Sequence, residues 1–187
     1  MPRFALADGH RRTTVTASHV YGFVSCEHAV WLEFFGDPDR KLAPSEDLEL
    51  LLKRGRDLEA AIVDELGWSE PEYPARDWSQ GARATIDALR SGVEGLCQGV
   101  LFDPPFLGLP DLLRREAGAS ALGDHHYVVG DIKSSRRPRA DQALQVAFYS
   151  RLLTDVQGRR PDYGYLVLKD GREERLDLTA LDVVLDE

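Results

Sequence analysis

Three short apolar runs, separated by turn-forming residues, constrain the fold of this chain more than any other feature of its sequence. They occupy residues 95–102, 107–115 and 126–132, and the segments between them are Asp103-Pro104-Pro105 and the stretch 117–124. Apolar runs of this length, bounded by proline, glycine and aspartate, are typical of β-strands. The sequence therefore predicts three strands of one sheet in the middle of the chain.

Helical periodicity flanks these strands on both sides. Serine favours the N-cap of a helix because its hydroxyl accepts an orphan amide, and glycine favours the end because it tolerates a left-handed backbone. Together with apolar residues at helical spacing, these signals predict four helices. The first covers residues 19–35, with Ser18 as its N-cap and an apolar face that includes Phe23 and Val24. The others cover 45–66, beginning at Ser45 and ended by Gly67, 79–91, ended by Gly92, and 140–153.

The ends of the chain add a hairpin and two shorter elements. Lys169-Asp170-Gly171 joins runs at 163–168 and 172–178, which predicts a β-hairpin. We also expect a short strand around Phe4 to Leu6, and over 179–187 either a terminal helix or the start of another element. This order of elements predicts one domain over residues 1–187, with a mixed α/β (α+β) fold, helices packed on a sheet and an N-terminal helical segment.

The composition places the chain among folded proteins and narrows its chemistry. Hydrophobic residues make up 43% of its 187 residues and charged residues 29%, and no apolar run approaches the roughly 18 residues that a membrane span needs. We therefore expect a cytoplasmic protein without membrane contact. Cys26 and Cys97 are too few for a disulfide scaffold, and we expect both to be reduced thiols in the core. The net charge is −9, whereas domains that bind nucleic acids usually carry a basic face. If the chain binds DNA, metal ions and a few clustered arginines would have to provide the local positive charge.

Acidic residues and a lysine stand at the ends of two of the predicted strands. Pro110-Asp111 heads one apolar run, and Asp131-Ile132-Lys133 closes the next. Alternation along a strand places Asp131 and Lys133 on one face and turns the Ile132 side chain into the core, with its carbonyl available. Carboxylate and carbonyl oxygens suit Mg²⁺ or Mn²⁺, which can activate water for phosphodiester hydrolysis. The pattern predicts Asp111, Asp131 and Ile132 as metal ligands. Lys133 would orient or deprotonate the water, or stabilise developing charge.

Two helices offer further residues for the same site. Glu59 follows Gly55 by four residues, and a glycine there would let the helix approach the sheet closely. Glu59 is thus either a third metal ligand or an ordinary solvated helix acid. Gln145 and Tyr149 are also four residues apart and share a helix face, where they would contact DNA. The other interpretation of Tyr149 is a core aromatic residue with its hydroxyl at the edge.

A basic loop follows the strand that carries the Asp-Ile-Lys triplet. Arg136, Arg137 and Arg139 form its basic cluster. Arginines at this position would contact the phosphates of bound DNA, although a run of charges is more often simply solvated. The position after the candidate catalytic strand, rather than the composition, makes these three arginines candidates for DNA binding.

Taken in order, these motifs resemble those of the PD-(D/E)-x-K nuclease superfamily, and within it the RecB-like branch. Pro110-Asp111, Asp131-Ile132-Lys133 and the segment from Gln145 to Tyr149 match three successive motifs of that branch. Gly55 and Glu59 stand where the branch has a glycine followed four residues later by histidine or an acid. Residues 15–26 are also similar to the entry segment of RecB-like putative nucleases, so the resemblance spans most of the chain.

The resemblance implies a restriction-endonuclease-like central mixed sheet flanked by helices, one or two Mg²⁺ or Mn²⁺ ions, and cleavage of DNA. It implies metal binding by Glu59, Asp111, Asp131 and the Ile132 carbonyl, with Glu59 in place of the usual histidine altering metal preference. Some members carry an iron–sulfur cluster on four cysteines. Cys26 resembles the first of them, but no downstream trio follows, so no cluster is expected.

The implied context is DNA repair, recombination or anti-phage and CRISPR-type defence, with a helicase, an integrase or another assembly as partner. A rival hypothesis is a catalytically inactive DNA-binding or scaffolding module that kept the nuclease fold. The presence of Asp111, Asp131 and Lys133 argues against it, because a decayed site usually loses one of these residues. A third hypothesis, an enzyme of another class using the same carboxylates, has no cofactor motif to support it. The sequence therefore favours a divalent-metal-dependent deoxyribonuclease.

Overall fold

A computed structural model of the chain describes residues 14–186, so the strand expected around Phe4 to Leu6 lies outside the described residues. The described elements form a mixed α/β fold, which confirms the predicted class. They are α1 (Ala17–Ser25), α2 (Glu27–Phe35), a 3-10 turn (Pro38–Arg40), α3 (Glu46–Leu66), α4 (Trp78–Ser91), β1 (Gly95–Cys97), β2 (Leu101–Asp103), β3 (Phe106–Gly108), β4 (Leu112–Ser120), β5 (Gly123–Lys133), α5 (Ala140–Gln157), β6 (Tyr163–Leu168), β7 (Glu173–Asp177) and α6 (Thr179–Asp186).

Five strands form one mixed sheet in the order β1-β4-β5-β6-β7. β5 and β6 run parallel, because α5 carries the chain back between them, whereas the other neighbours are antiparallel. β6 and β7 form the predicted hairpin, and β2 and β3 pair separately as a two-stranded antiparallel sheet. β5 therefore occupies the centre of the large sheet.

Apolar side chains pack against both faces of β5. Tyr127 and Val129 belong to a buried cluster with side chains of α5, whereas Val128 and Ile132 belong to a second cluster that contacts Leu58 of α3. Residues alternate between the two faces of a strand, so a strand covered on both sides is apolar throughout. The end of β5, which carries Asp131, therefore lies between two packed layers. Burying each large aliphatic side chain of these layers contributes about 1.5–3 kcal/mol to the free energy of unfolding.

A buried glutamine fixes α5 on β5. Gln157 lies in the last turn of α5 and is fully buried. Its Oε1 accepts a hydrogen bond from the Tyr127 N–H at 2.8 Å, and its Nε2 donates to the Tyr127 carbonyl at 3.1 Å. The helix therefore runs to Gln157, one turn beyond the predicted end at Leu153. Gly158 ends it in a left-handed conformation, with φ of 61°.

The predicted helix over residues 19–35 is wrong in its continuity and its N-cap. Cys26 has extended dihedral angles (φ −165°, ψ 94°) and divides the segment into α1 and α2. The N-cap is Thr16 rather than Ser18, because the His19 Nδ1 accepts a hydrogen bond from the Thr16 N–H at 3.0 Å. Helical spacing alone did not reveal the break.

Several apolar side chains of these first helices stay exposed. Phe23 and Val24, predicted on the buried face, are 56% and 65% exposed. Cys26 is exposed as well, so only Cys97 confirms the prediction of core thiols. Among the described residues, no helix is both long and apolar enough to cross a membrane.

The ends of α3 and α4 follow from capping chemistry. The Ser45 hydroxyl accepts a first-turn amide, and Gly67 ends α3 with φ of 62°, both as predicted. Gly92 ends α4 with φ of 75°, also as predicted. The start of α4 was misplaced by one residue, because Asp77 is the N-cap and accepts from the Gln80 N–H at 3.0 Å.

The predicted strands over 95–102 and 107–115 are each broken in the middle. β1 pairs with β4, with Gly95 opposite Arg114, and β2 pairs with β3, with Leu101 opposite Gly108. Both pairings keep one common register, so the four strands are two halves of a single antiparallel ladder. The ladder is interrupted at residues 98–100 on one side and 109–111 on the other. Asp111 lies in this gap.

The loop predicted over residues 117–124 is also wrong. β4 continues to Ser120 and β5 begins at Gly123, so the two strands form one long antiparallel hairpin. A register shift between Ala117 and Ser120 accommodates Gly118, which has φ of 131°. Small and polar residues suggested a loop, but side chains on an exposed part of a sheet need not be apolar.

Candidate active site

The gap in the β1–β4 ladder brings two polar residues together. Asp111 precedes β4, and its carbonyl accepts a hydrogen bond from the Gln98 N–H at 2.9 Å. The Asp111 side chain turns towards the adjacent end of β5, where its Oδ2 accepts from the Ile132 N–H at 2.7 Å. The break in the ladder therefore holds Asp111 through both its backbone and its carboxyl group.

Asp131 is the most deeply buried acid of this site. Its side chain is 0% exposed, and neither carboxyl oxygen has a hydrogen-bond partner of ordinary geometry among the described residues. The Lys133 ammonium contacts Oδ2 as an ion pair. This contact confirms that Asp131 and Lys133 share one face of β5, as strand alternation predicted.

Asp111 and Asp131 share a single electrostatic environment. Burial and the neighbouring Asp131 carboxyl together raise the pKa of Asp111 to about 8, against the lowering effect of the Ile132 N–H. Burial also raises the pKa of Asp131, although Lys133 lowers it. The two carboxyl groups lie within hydrogen-bonding reach of each other, so one proton can be shared between them.

Glu59 reaches the site from α3. Its carboxylate accepts a hydrogen bond from the Gln98 Nε2. Burial and the negative charge of Asp111 raise the pKa of Glu59, which shows that the two acids lie near each other. The prediction that Gly55 permits close approach of the helix is wrong, because a Cβ at Gly55 would meet no atom within 4 Å.

Negative charge exceeds positive charge at this site. Glu59, Asp111 and Asp131 influence one another electrostatically, and Lys133 is the cation that contacts Asp131. Within residues 14–186, no three His, Cys, Asp or Glu side chains form a ready-made metal site. The donor set nevertheless suits a hard divalent cation, because carboxylate oxygens are the ligands that such ions prefer. The role of the Ile132 carbonyl as a metal ligand stays a prediction.

Tyr149 and Gln145 lie at the side of the acidic cluster. Tyr149 is buried, and its hydroxyl accepts a hydrogen bond from the Gln145 Nε2 at 2.9 Å. Burial and the charges of Asp131 and Asp111 raise the pKa of this hydroxyl. The Tyr149 ring lies against Gly108, where an added Cβ would come within 2.9 Å of Cδ1. The half-buried Gln145 is the more accessible of the two predicted DNA contacts.

The three arginines of the basic loop are exposed but not equivalent. The Arg139 guanidinium makes two hydrogen bonds of 3.0 Å to the Asp141 carboxylate. Arg136 and Arg137 are exposed, and the Arg136 carbonyl accepts a hydrogen bond from the Arg172 guanidinium at 3.0 Å. The loop is thus tied to the turn between β6 and β7. Arg139 has part of its charge neutralised before any ligand binds.

The sequence motifs do not include two glutamines of the site region. Gln98 contacts Asp111 and Glu59, and its φ of 51° is rare for a residue other than glycine. Gln142 is buried and its Oε1 accepts from the Arg139 N–H at 3.1 Å, which fixes the start of α5. A signal existed for Gln98, since a Gln-Gly pair interrupts an otherwise apolar run. No comparable signal marks Gln142.

Comparisons with known proteins do not assign the chain to a family. A scan against protein-family models finds no match, and a search of curated proteins finds no significant match. The candidate site is therefore described by its own geometry.

Proposed function

We propose that this chain is a divalent-metal-dependent nuclease that hydrolyses DNA phosphodiester bonds. The observation that carries the proposal is the convergence of Asp131 and Lys133 from β5 with Asp111 from the gap before β4 and Glu59 from α3. The motif order that resembles RecB-like nucleases and the mixed sheet with packed helices support it further. A restriction-endonuclease-like fold is part of this proposal.

The acidic residues would hold one or two Mg²⁺ or Mn²⁺ ions. Asp111, Asp131 and Glu59 supply carboxylate oxygens, and the Ile132 carbonyl is the proposed further ligand. When bound, such an ion would supply Lewis acidity for the phosphate and would lower the pKa of water. Cation binding also relieves the repulsion that raises the pKa of the clustered carboxyl groups.

Lys133 is the residue that would act on the attacking water. Its ammonium contacts the Asp131 carboxylate, and its side chain is 21% exposed. Lys133 is therefore partly accessible to solvent while it contacts a buried acid. From there it can donate a hydrogen bond that orients the water, or stabilise charge on the phosphate. The ion pair with Asp131 fixes the lysine for either role.

DNA would approach on the side of the basic loop. Exposed Arg136 and Arg137 can contact backbone phosphates, with Arg139 contributing less because of its ion pair with Asp141. Gln145 would contact a nucleotide beside the metal. Since acidic residues outnumber basic ones and the net charge is −9, a helicase, integrase or other partner of repair, recombination or defence would supply further affinity for DNA.

The proposal is tested by incubating the purified chain with single- and double-stranded DNA and Mn²⁺ or Mg²⁺. We expect cleavage that EDTA abolishes, and loss of activity by about 10²–10⁴-fold in Lys133→Met, the range of one general acid–base group. Lys41→Met is the matched control, because the Lys41 side chain is 70% exposed and its ion pair is with Glu33 rather than with an acid of the candidate site. It should keep full activity.

Equal activity of the wild type and Lys133→Met would show that the assigned site is wrong. Binding of DNA by folded protein without any metal-dependent cleavage would favour the rival proposal, an inactive DNA-binding or scaffolding module. Circular dichroism and thermal unfolding confirm that each variant is folded.

A further inference from the structure

Gln98 stands at the point where the β1–β4 ladder breaks. Its backbone has φ of 51°, in the left-handed region that glycine occupies easily and other residues seldom adopt. A strained backbone at a strand interruption persists only where its surroundings hold it.

The conformation lets one residue hold two parts of the site. The Gln98 N–H donates to the Asp111 carbonyl at 2.9 Å, and the Gln98 Nε2 donates to the Glu59 carboxylate. Asp111 directly precedes β4 of the sheet, whereas Glu59 belongs to α3, 39 residues before Gln98. Gln98 therefore connects the helix layer with the sheet at the acidic cluster.

We propose that Gln98 is a positioning residue that holds the Glu59 carboxylate beside Asp111 and Asp131, ready for a divalent cation. This inference rests on the proposed metal-dependent function. Glu59 needs such a donor because Asp111 repels its charge. Without the amide, the flexible glutamate side chain turns towards solvent on the half-exposed face of α3.

The electrostatic environment of Glu59 agrees with this role. Burial and Asp111 raise the pKa of Glu59, whereas the Gln98 hydrogen bond lowers it. The amide thus favours the charged form that a cation requires. Residues that orient a metal ligand typically change metal affinity by about 10–100-fold when removed.

Two substitutions separate positioning from a structural role. Gln98→Met keeps the length of the side chain and removes the donor. Gln98→Gly removes the side chain but relieves the left-handed backbone and keeps the N–H that contacts Asp111. Arg76→Gly is the matched control, since Arg76 is an exposed residue with φ of 66° in the loop before α4.

The experiment titrates Mn²⁺ into each full-length variant without DNA, by isothermal calorimetry and electron paramagnetic resonance, and records Tm in EDTA. We expect Gln98→Met and Gln98→Gly to bind Mn²⁺ about 10-fold or more weakly. The Tm of Gln98→Gly should match or exceed that of the wild type, and Arg76→Gly should bind Mn²⁺ normally. Excess Mn²⁺ should restore DNA cleavage to both Gln98 variants.

Three outcomes would overturn the inference. Unchanged Mn²⁺ affinity in both Gln98 variants, while the wild type binds Mn²⁺ and cleaves DNA, removes the role of Gln98 and leaves the proposed function standing. A fall in the Tm of Gln98→Gly that accompanies its loss of Mn²⁺ binding makes Gln98 structural. A wild-type chain that binds no Mn²⁺ overturns the proposed function itself, and the role of Gln98 with it.

Discussion

Without metal, the protein should lose stability as the pH rises from 5 to 7. Burial and Asp131 raise the pKa of Asp111 to about 8 in the folded chain, whereas an aspartate in an unfolded chain has a pKa of about 3.9. Between these values the folded chain binds one proton more than the unfolded chain. The proton on Asp111 contributes its full stabilisation below the pKa of the unfolded chain. This contribution is lost as the pH rises through the pKa of the folded chain.

The size of the effect follows from proton linkage. One extra proton in the folded state lowers the free energy of unfolding by about 1.4 kcal/mol per pH unit, hence by up to about 3 kcal/mol between pH 5 and 7. For a chain of this length each 1 kcal/mol corresponds to roughly 2–4 °C, so we expect Tm to fall by roughly 6–12 °C.

The assay compares Tm in EDTA for the wild type and Asp111→Asn. The variant lacks the titrating carboxyl group, so its Tm should depend much less on pH. Burial lowers the pKa of His126, so this residue makes the folded protein more stable as the pH rises. This opposite contribution is common to the wild type and the variant. The difference between the two profiles isolates the contribution of Asp111.

Adding Mn²⁺ should reverse the trend in the wild type. A cation binds the deprotonated carboxylates, so it competes with the shared proton and raises Tm more at pH 7 than at pH 5. Parallel Tm profiles of the wild type and Asp111→Asn in EDTA would refute the reasoning, because Asp111 would then carry no extra proton in the folded state.

Further predictions concern packing and DNA contacts. Gly108→Ala should lower the free energy of unfolding by about 1–3 kcal/mol, because the new Cβ would lie 2.9 Å from the Tyr149 ring. The new Cβ of Gly55→Ala would meet no atom within 4 Å, so this substitution should stabilise the protein by up to about 1 kcal/mol. Urea titration of the two glycine variants and the wild type measures both effects. Arg137→Ala should weaken DNA binding and reduce the slope of log affinity against log salt by about 1. Arg139→Ala should do less, because its guanidinium is already ion-paired, and equal effects would contradict that difference.

Local signals in the sequence were enough for much of the architecture. The Ser45 cap, the glycines that end α3 and α4, and the hairpin of β6 and β7 all follow from chemistry within a few residues. The prediction failed where the local sequence is compatible with two different backbone conformations. Cys26 breaks a helix that its spacing favours, and residues 117–124 form strand rather than loop because they pair across a hairpin.

The candidate site also combines features that follow from the sequence with features that only the tertiary structure reveals. The sequence by itself determined which residues are candidates for the chemistry, since the order of Asp111, Asp131 and Lys133 is a property of the chain. It also determined that Asp131 and Lys133 face the same side, because alternation along a strand depends only on the backbone.

Only the tertiary structure decided how these residues meet. The common register of the two broken hairpin halves, the approach of Glu59 and its link to Gln98 join positions that lie far apart along the chain. Hydrophobic periodicity reports which face of an element is buried, but not which side chain of another element lies across from it. The burial and mutual repulsion that alter the pKa of the acids arise from that packing alone.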